Sequence, residues 1–366
     1  MKKQIALVLA LATLSTAALS GCTGGSPSGT AETPGGESSS GNTGTAGVVN
    51  VYNWGEYIDM SVLEDFEAET GIKVNYQTFE SNEALYGKLA GGAGGYDVII
   101  PSDYMISRMI SADMLEQLDF TNIPNAENLM DKFKTTDYDP EGLYSVPYTW
   151  GTVGLIYNTT MVEEAPDSWN ALWDARYDRK IFMFSNSRDA FGIALKLLGY
   201  SQNTTDEAQI REAADLLKKQ KDVLQAYVMD EIFDKMEIGE GALAPYYAGD
   251  AVTMISENPD LAYVLPKEGS NVFIDAMCIP KGSPNKALAE KFINEMCSTD
   301  IGLANIQKIC YSTPLQNVFD ALDEETRQNP IIYPDDETLS RCESFINLPD
   351  GTNALVQDLW NEIIAE

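Results

Sequence analysis

Asp275 stands inside the apolar run Val272-Phe273-Ile274-Asp275-Ala276-Met277-Cys278-Ile279-Pro280. A carboxylate in such a setting is costly unless a cation meets it. No basic residue is adjacent, so its partner is either an incoming ammonium group or a Lys or Arg distant in sequence. A second set of side chains gathers where apolar runs end: Trp54, Glu56 and Tyr57 after residues 48–54, Ser102 and Tyr104 after residues 97–100. Aromatic faces interleaved with carboxylates suit an organic cation, the rings covering its methylenes and the acids accepting its N–H groups. Paired acids also serve glycoside hydrolysis, but no spacing here sets a catalytic separation. The chain has no histidine, which removes a histidine general base, the usual catalytic triad and every His-containing zinc site.

The elements around these residues alternate. Residues 48–54 read as a strand that stops at Gly55-Glu56-Tyr57; Val62, Leu63 and Phe66 have helical spacing over 61–69; Gly71 ends that helix and 72–79 supplies the next strand. A helix around 84–89 runs into glycine-rich 91–95, and a buried strand follows over 97–100. This order predicts an α/β lobe with a largely parallel sheet, and ligands of open α/β sheets bind beyond the carboxyl ends of the strands. Residues 147–157 predict a strand that continues into a second lobe. There Trp169 and Trp173 sit i,i+4 on a short helix, 181–184 is a strand, 190–198 and 210–220 are helices, and 241–247 leads to a loop at Ala248-Gly249-Asp250.

The amino end sets the destination. Lys2 and Lys3, an apolar stretch over 5–18 and Leu19-Ser20-Gly21-Cys22 form the pattern of an exported bacterial lipoprotein, with residues 1–21 as signal peptide and Cys22 as the lipidated residue. Residues 22–47 carry scarcely an apolar side chain and read as a flexible tether. The expected location is extracytoplasmic, lipid-anchored to the cell membrane in a periplasmic space or at the outer face of the cytoplasmic membrane. Removing residues 1–21 deletes two lysines and no acids, which moves the formal net charge from −32 to −34. Such a field disfavours nucleic acid and anionic lipid and favours small cations. Cys278, Cys297, Cys310 and Cys342 lack the close CxxC spacing of a zinc or thiol-redox site; one or two disulfides, or free thiols, are the open alternatives. No EF-hand spacing occurs, and no metal is assigned.

Several blocks in fixed order carry a family likeness: Val51-Tyr52-Asn53-Trp54-Gly55-Glu56-Tyr57, EAETGIKV over 67–74, Phe79-Glu80-Ser81-Asn82-Glu83, YDVIIPS over 96–102, and the segments 146–151 and 309–314. From residue 48 onwards the chain resembles the spermidine/putrescine-binding proteins of bacterial polyamine ABC importers. The resemblance implies an α/β, two-lobe periplasmic solute-binding protein fold with a hinged interlobe cleft. Lobe one is expected to combine 48–150 with 271–319, and lobe two 151–270 with 320–366. It also implies putrescine or spermidine as ligand, no cofactor, no catalysis, a monomer, and delivery to an ABC permease with a cytoplasmic ATPase. Trp54, Glu56, Tyr57, Ser102 and Tyr104 are expected on the first-lobe wall, with Asp189 and Tyr247 opposite, and with Asp250, Phe273, Asp275 and Tyr311 completing the cleft.

Departures from the family pattern bear on specificity. Asn186 stands where the spermidine-preferring branch has an acid, Tyr247 and Phe273 where tryptophan is familiar, and Phe345 about where a glutamine would read an amine. The turn Tyr247-Ala248-Gly249-Asp250 resembles the putrescine-preferring branch. Together these tilt the expectation toward putrescine, with dual specificity open. Alternative readings are a receptor for another organic cation or a thiamine-like ligand, a carboxylate-dependent glycosidase, and an adhesive lipoprotein.

Overall fold

Nine strands form the frame: β1 (Gly47–Trp54), β2 (Ile72–Phe79), β3 (Val98–Ile99), β4 (Ser145–Asn158), β5 (Ile181–Phe184), β6 (Leu224–Val228), β7 (Leu243–Tyr247), β8 (Leu261–Val264) and β9 (Val272–Cys278). They are seen in a computed structural model that describes residues 46–365 apart from Ala93. The expected signal peptide, Cys22 and nearly all of the expected tether lie outside the described residues.

Local chemistry sets the element ends. Asp59 caps the helix Met60–Thr70 by accepting from the Ser61 amide, and Gly71 at φ 70° closes it in the left-handed conformation that glycine adopts without strain. The strand β1 divides its side chains between two faces: Val49 and Val51 join one buried cluster with Phe66 and Phe292, while Tyr52 joins another with Leu85, Ile99 and Met105. That two-sided burial is what a strand covered by helices on both faces requires.

The sheet order is β2-β1-β3-β9-β4-β7-β5-β6, with β8 on β4. The strands β1, β2 and β3 are parallel, but β9 is antiparallel to both β3 and β4. The largely parallel sheet expected of the first lobe is therefore mixed, because β9 enters from the second lobe in the opposite direction. The short helix expected around Trp169 and Trp173 is a 3-10 helix over Trp169–Trp173, with Ser168 capping it. A second correction concerns 248–250, which opens the helix Ala248–Glu257 instead of forming a loop.

One strand joins the lobes. Residues 145–152 of β4 pair with β9 in the first lobe, and residues 153–157 pair with β7 in the second. Around Trp169, Phe182, Phe184, Tyr246 and Trp360 lies the core of the second lobe. Leu322, Tyr333 and Leu339 pack with Trp150 in the first-lobe core, the Tyr333 ring lying 6.1 Å from that of Trp150. The helix Asp350–Ala365 places Val356, Leu359 and Ile363 in the second core. Three segments cross between the lobes: β4, the stretch before β9, and the stretch around Glu343, which bridges to Asn271.

All four described cysteines are free thiols, Cys278 and Cys297 buried, Cys310 and Cys342 half-buried. Among the described residues no helix is long and apolar enough to cross a membrane.

Candidate functional site

A cavity of about 330 Å³ opens between the lobes, at the carboxyl ends of β1 and β3 on one side and of β5, β6 and β7 on the other. Seven acidic and nine aromatic side chains line it, and among the described residues no Lys or Arg does. Ten of the eleven residues expected at the site are in this lining. Glu56 is the exception: it lies exposed on a turn at φ 46°, and its neighbour Gly55 faces the cavity instead.

Each wall residue is held by a second contact. The Trp54 indole N–H donates to the Ile100 carbonyl at 2.9 Å, fixing the ring 4.5 Å from Phe79. Ser102 exchanges hydrogen bonds with Asn82 at 3.0 and 3.1 Å, and Tyr104 donates its hydroxyl to Glu83 at 2.9 Å. The Tyr57 hydroxyl donates to Asp275 Oδ2 at 2.7 Å and also meets Thr149 Oγ1. Tyr57, Tyr311, Phe273 and Tyr247 form a continuous series of edge-on rings, with centroids 4.7, 6.1 and 5.5 Å apart in that order. Gly249 makes room for it: a methyl group there would fall 2.3 Å from the Tyr311 ring.

On the second-lobe side, Asp189 occupies the first turn of the helix Ser187–Leu197, where the helix dipole favours an anion. Asn186 caps that helix and also donates to Asp189 Oδ2 at 2.5 Å, and the Tyr247 hydroxyl donates to the same oxygen at 2.8 Å. Asp275, at 5% exposure, differs: the hydroxyls of Ser102 and Tyr57 beside it offset part of the burial, but its own buried Oδ1 closes no hydrogen bond among the described residues. The distant Lys or Arg that was the alternative partner of Asp275 is absent from the described lining, and among the described residues no ion pair includes Asp275.

Electrostatics follow from this enclosure. Burial pushes the carboxyls of Asp275 and Asp189 up to about 6, and those of Asp103 and Asp250 up to about 8. Asp230 is raised by partial burial and then by the nearby Glu56, Glu231 and Glu80. The lobes meet closely here, since a Cβ on Gly55 would lie 2.2 Å from Asp230 Oδ2. Acids from both lobes therefore face one another across a narrow gap, an arrangement that a cation between them relieves.

A pH dependence follows, with opposite signs for the protein alone and for its complex. Without ligand, these acids bind protons more tightly folded than unfolded, so they subtract stability progressively as pH rises from about 4 to about 8. A cationic ligand favours their ionised forms, so its affinity rises over the same interval and its binding releases protons. Titration calorimetry at pH 5.5 and pH 8 in buffers of different ionisation enthalpy measures both; affinity independent of pH, with no proton release, contradicts the assignment.

Sequence reasoning missed Asp103 and Asp230, which also line the cavity, and Arg188 behind it. Asp103 was hidden as the first residue of a helix, where a solvated capping role is the usual expectation; it accepts from the Tyr104 and Ile274 amides at 2.7 and 3.3 Å. The buried Arg188 guanidinium lies 4.5 Å from the Phe345 ring and 5.5 Å from that of Tyr104, closing the cleft near Asp189. Its immediate sequence neighbour Asp189 was the only signal that could have pointed to it.

The model of the bacterial extracellular solute-binding protein family matches residues 61–334. The chain belongs to that family. The spermidine/putrescine-binding periplasmic protein of Salmonella typhimurium is 35% identical over 316 residues, spanning 86% of this chain and 90% of the relative. Among solved structures, a spermidine/putrescine ABC transporter protein of Listeria monocytogenes superposes with a TM-score of 0.84 at 39% identity, covering 87% of this chain and 98% of that one. A spermidine/putrescine ABC transporter substrate-binding protein of Streptococcus pneumoniae gives 0.74 at 39% identity, covering 87% and 99%. This solute-binding protein therefore has the two-lobe α/β architecture of extracytoplasmic transport receptors that work with ABC permeases, and belongs to a family of binding proteins rather than enzymes.

Proposed function

We propose that this solute-binding protein captures putrescine or spermidine outside the cytoplasm, tethered to the membrane through lipidated Cys22, and delivers it to an ABC importer. The observation that carries the reading is the buried, unpartnered Oδ1 of Asp275 in a lining with seven acids and no Lys or Arg among the described residues. A buried carboxylate oxygen without a donor is destabilising, and an ammonium N–H removes that cost. Asp189 and Asp250 would take further ammonium groups, while the ring series from Tyr57 to Tyr247 would cover the methylenes and offer π faces to charge.

Closure and recognition are coupled in this reading. The approach of Asp230 to Gly55 is unfavourable between acidic surfaces unless a cation intervenes, so the ligand shifts the lobe equilibrium by its better contacts in the closed form. Calorimetric titration of the full chain with putrescine and with spermidine, at identical salt, tests the proposal. Saturable one-site binding to either is the expected result; a folded protein that binds neither overturns it.

A further inference from the structure

The face of β9 toward the cleft continues one residue beyond the set recognised in sequence. Asn271, Phe273 and Asp275 line the cavity while Val272 and Ile274 do not, which is the two-residue alternation of a strand. Asn271 is 4% exposed, and its Oδ1, like Asp275 Oδ1, is buried without a hydrogen-bond partner among the described residues. These are the only two lining residues with such an atom among the described residues. A buried amide oxygen left unpaired costs stability, and the backbone around it is already committed: the Asn271 carbonyl accepts from Val153 at 3.1 Å, and Asn271 bridges to Glu343.

We propose that Asn271 is a ligand-contacting, specificity-determining residue whose amide oxygen accepts an N–H from a nitrogen of the ligand that Asp275 does not reach, and that it favours a triamine over a diamine. The proposal rests on the polyamine reading above and runs against the tilt toward putrescine that the sequence departures suggest. Four residues of strand separate Asn271 from Asp275, about 13 Å between their Cα atoms. Five covalent bonds join the nitrogens of a four-carbon diamine, too short a chain to serve both stations once one nitrogen is on Asp275 and the other on Asp189. A third nitrogen supplies the missing donor. A neutral amide suits that role, because it adds a hydrogen bond to an ammonium without adding another acid to a cleft already crowded with like charge.

The position also ties recognition to lobe movement. Asn271 lies where all three crossing segments touch: β4 through Val153, the entry to β9, and the segment of Glu343, whose amide donates to the Ser270 carbonyl at 2.9 Å and whose carbonyl accepts from Val272 at 3.1 Å. A contact made there depends on the angle between the lobes.

The test compares the parent full chain with Asn271→Leu, which keeps the volume and removes the acceptor, and with Asn271→Asp, which retains an acceptor whichever way the side chain turns. Calorimetry should show spermidine Kd raised about tenfold in Asn271→Leu, the size of one hydrogen bond to a charged group, with putrescine Kd changed less than about threefold. Asn271→Asp should bind spermidine within about threefold of the parent or more tightly. The thermal midpoint of ligand-free Asn271→Leu should equal or exceed that of the parent, since an unpaired buried acceptor has been removed. Equal losses for both amines, or an unchanged spermidine affinity, overturn the assignment while leaving the receptor reading intact. A parent that binds neither amine overturns both. A lowered midpoint with unchanged affinities marks Asn271 as structural only and also overturns it.

Discussion

Asp275→Asn should raise the Kd for putrescine and spermidine by about two orders of magnitude, the expected consequence of removing one partner from a desolvated charge pair. The substitution keeps the shape of the side chain and its place between Tyr57 and the cavity, but it removes the charge and can turn an N–H toward the ligand's ammonium. Stability should not fall with affinity. Burial has pushed the Asp275 carboxyl up to about 6, so its ionised form at neutral pH opposes folding and a neutral amide avoids that cost. Calorimetric titration at pH 7.5 with thermal unfolding of the same samples separates the two effects. Glu56→Gln is the matched control: Glu56 is exposed and outside the lining, so its neutralisation should change affinity less than about threefold. Equal affinities for parent and Asp275→Asn exclude the central role assigned to this acid.

Gly269→Ala should destabilise the protein by about 3 kcal/mol or more, the largest stability loss expected for a methyl group added at any of the described glycines. Two costs combine. Gly269 has φ 82°, a left-handed conformation that costs a residue bearing a Cβ about 1–2 kcal/mol. The added carbon would also lie 1.8 Å from the Arg341 carbonyl oxygen, a backbone atom that cannot rotate away as a side chain would. Gly282 provides the comparison, with φ 80° and nothing within 4 Å of an added Cβ, so Gly282→Ala should carry the conformational cost alone. Denaturant unfolding of both variants measures the difference. Equal losses would show that the segment around Arg341 yields easily; a larger loss at Gly269 identifies a tightly seated crossing between the lobes.

The acid and aromatic content of the cleft was legible before folding because strand ends are legible. Trp54, Tyr57, Ser102 and Tyr104 follow apolar runs closed by turn-forming residues, and Asp275 breaks an apolar alternation that had no other reason to contain a charge. Asp189 and Tyr311 carried no such mark and entered through family likeness alone. Asn271 carried none either: in sequence it was only the start of the segment 271–319, and the fold alone places it in the cavity lining and leaves its oxygen unpaired. The packing of segment 320–339 was hidden for a related reason: its helices are short and polar, and the ring contact of Tyr333 with Trp150 joins residues far apart in sequence.

By itself, the sequence determined the alternation of strands and helices, the lack of histidine chemistry, the acidic charge and the family, because each depends on local spacing, composition or the order of blocks. Tertiary structure alone decided which acids lose water. Asp275 and Glu56 are both carboxylates beside aromatic residues, yet one is enclosed between strands of the first lobe and the other stays exposed on a turn, so burial raises the pKa of the first and leaves the second outside the cavity lining. Desolvation is a property of everything packed around a group, and those neighbours come together here only where β4, β9 and the Glu343 segment cross between the lobes.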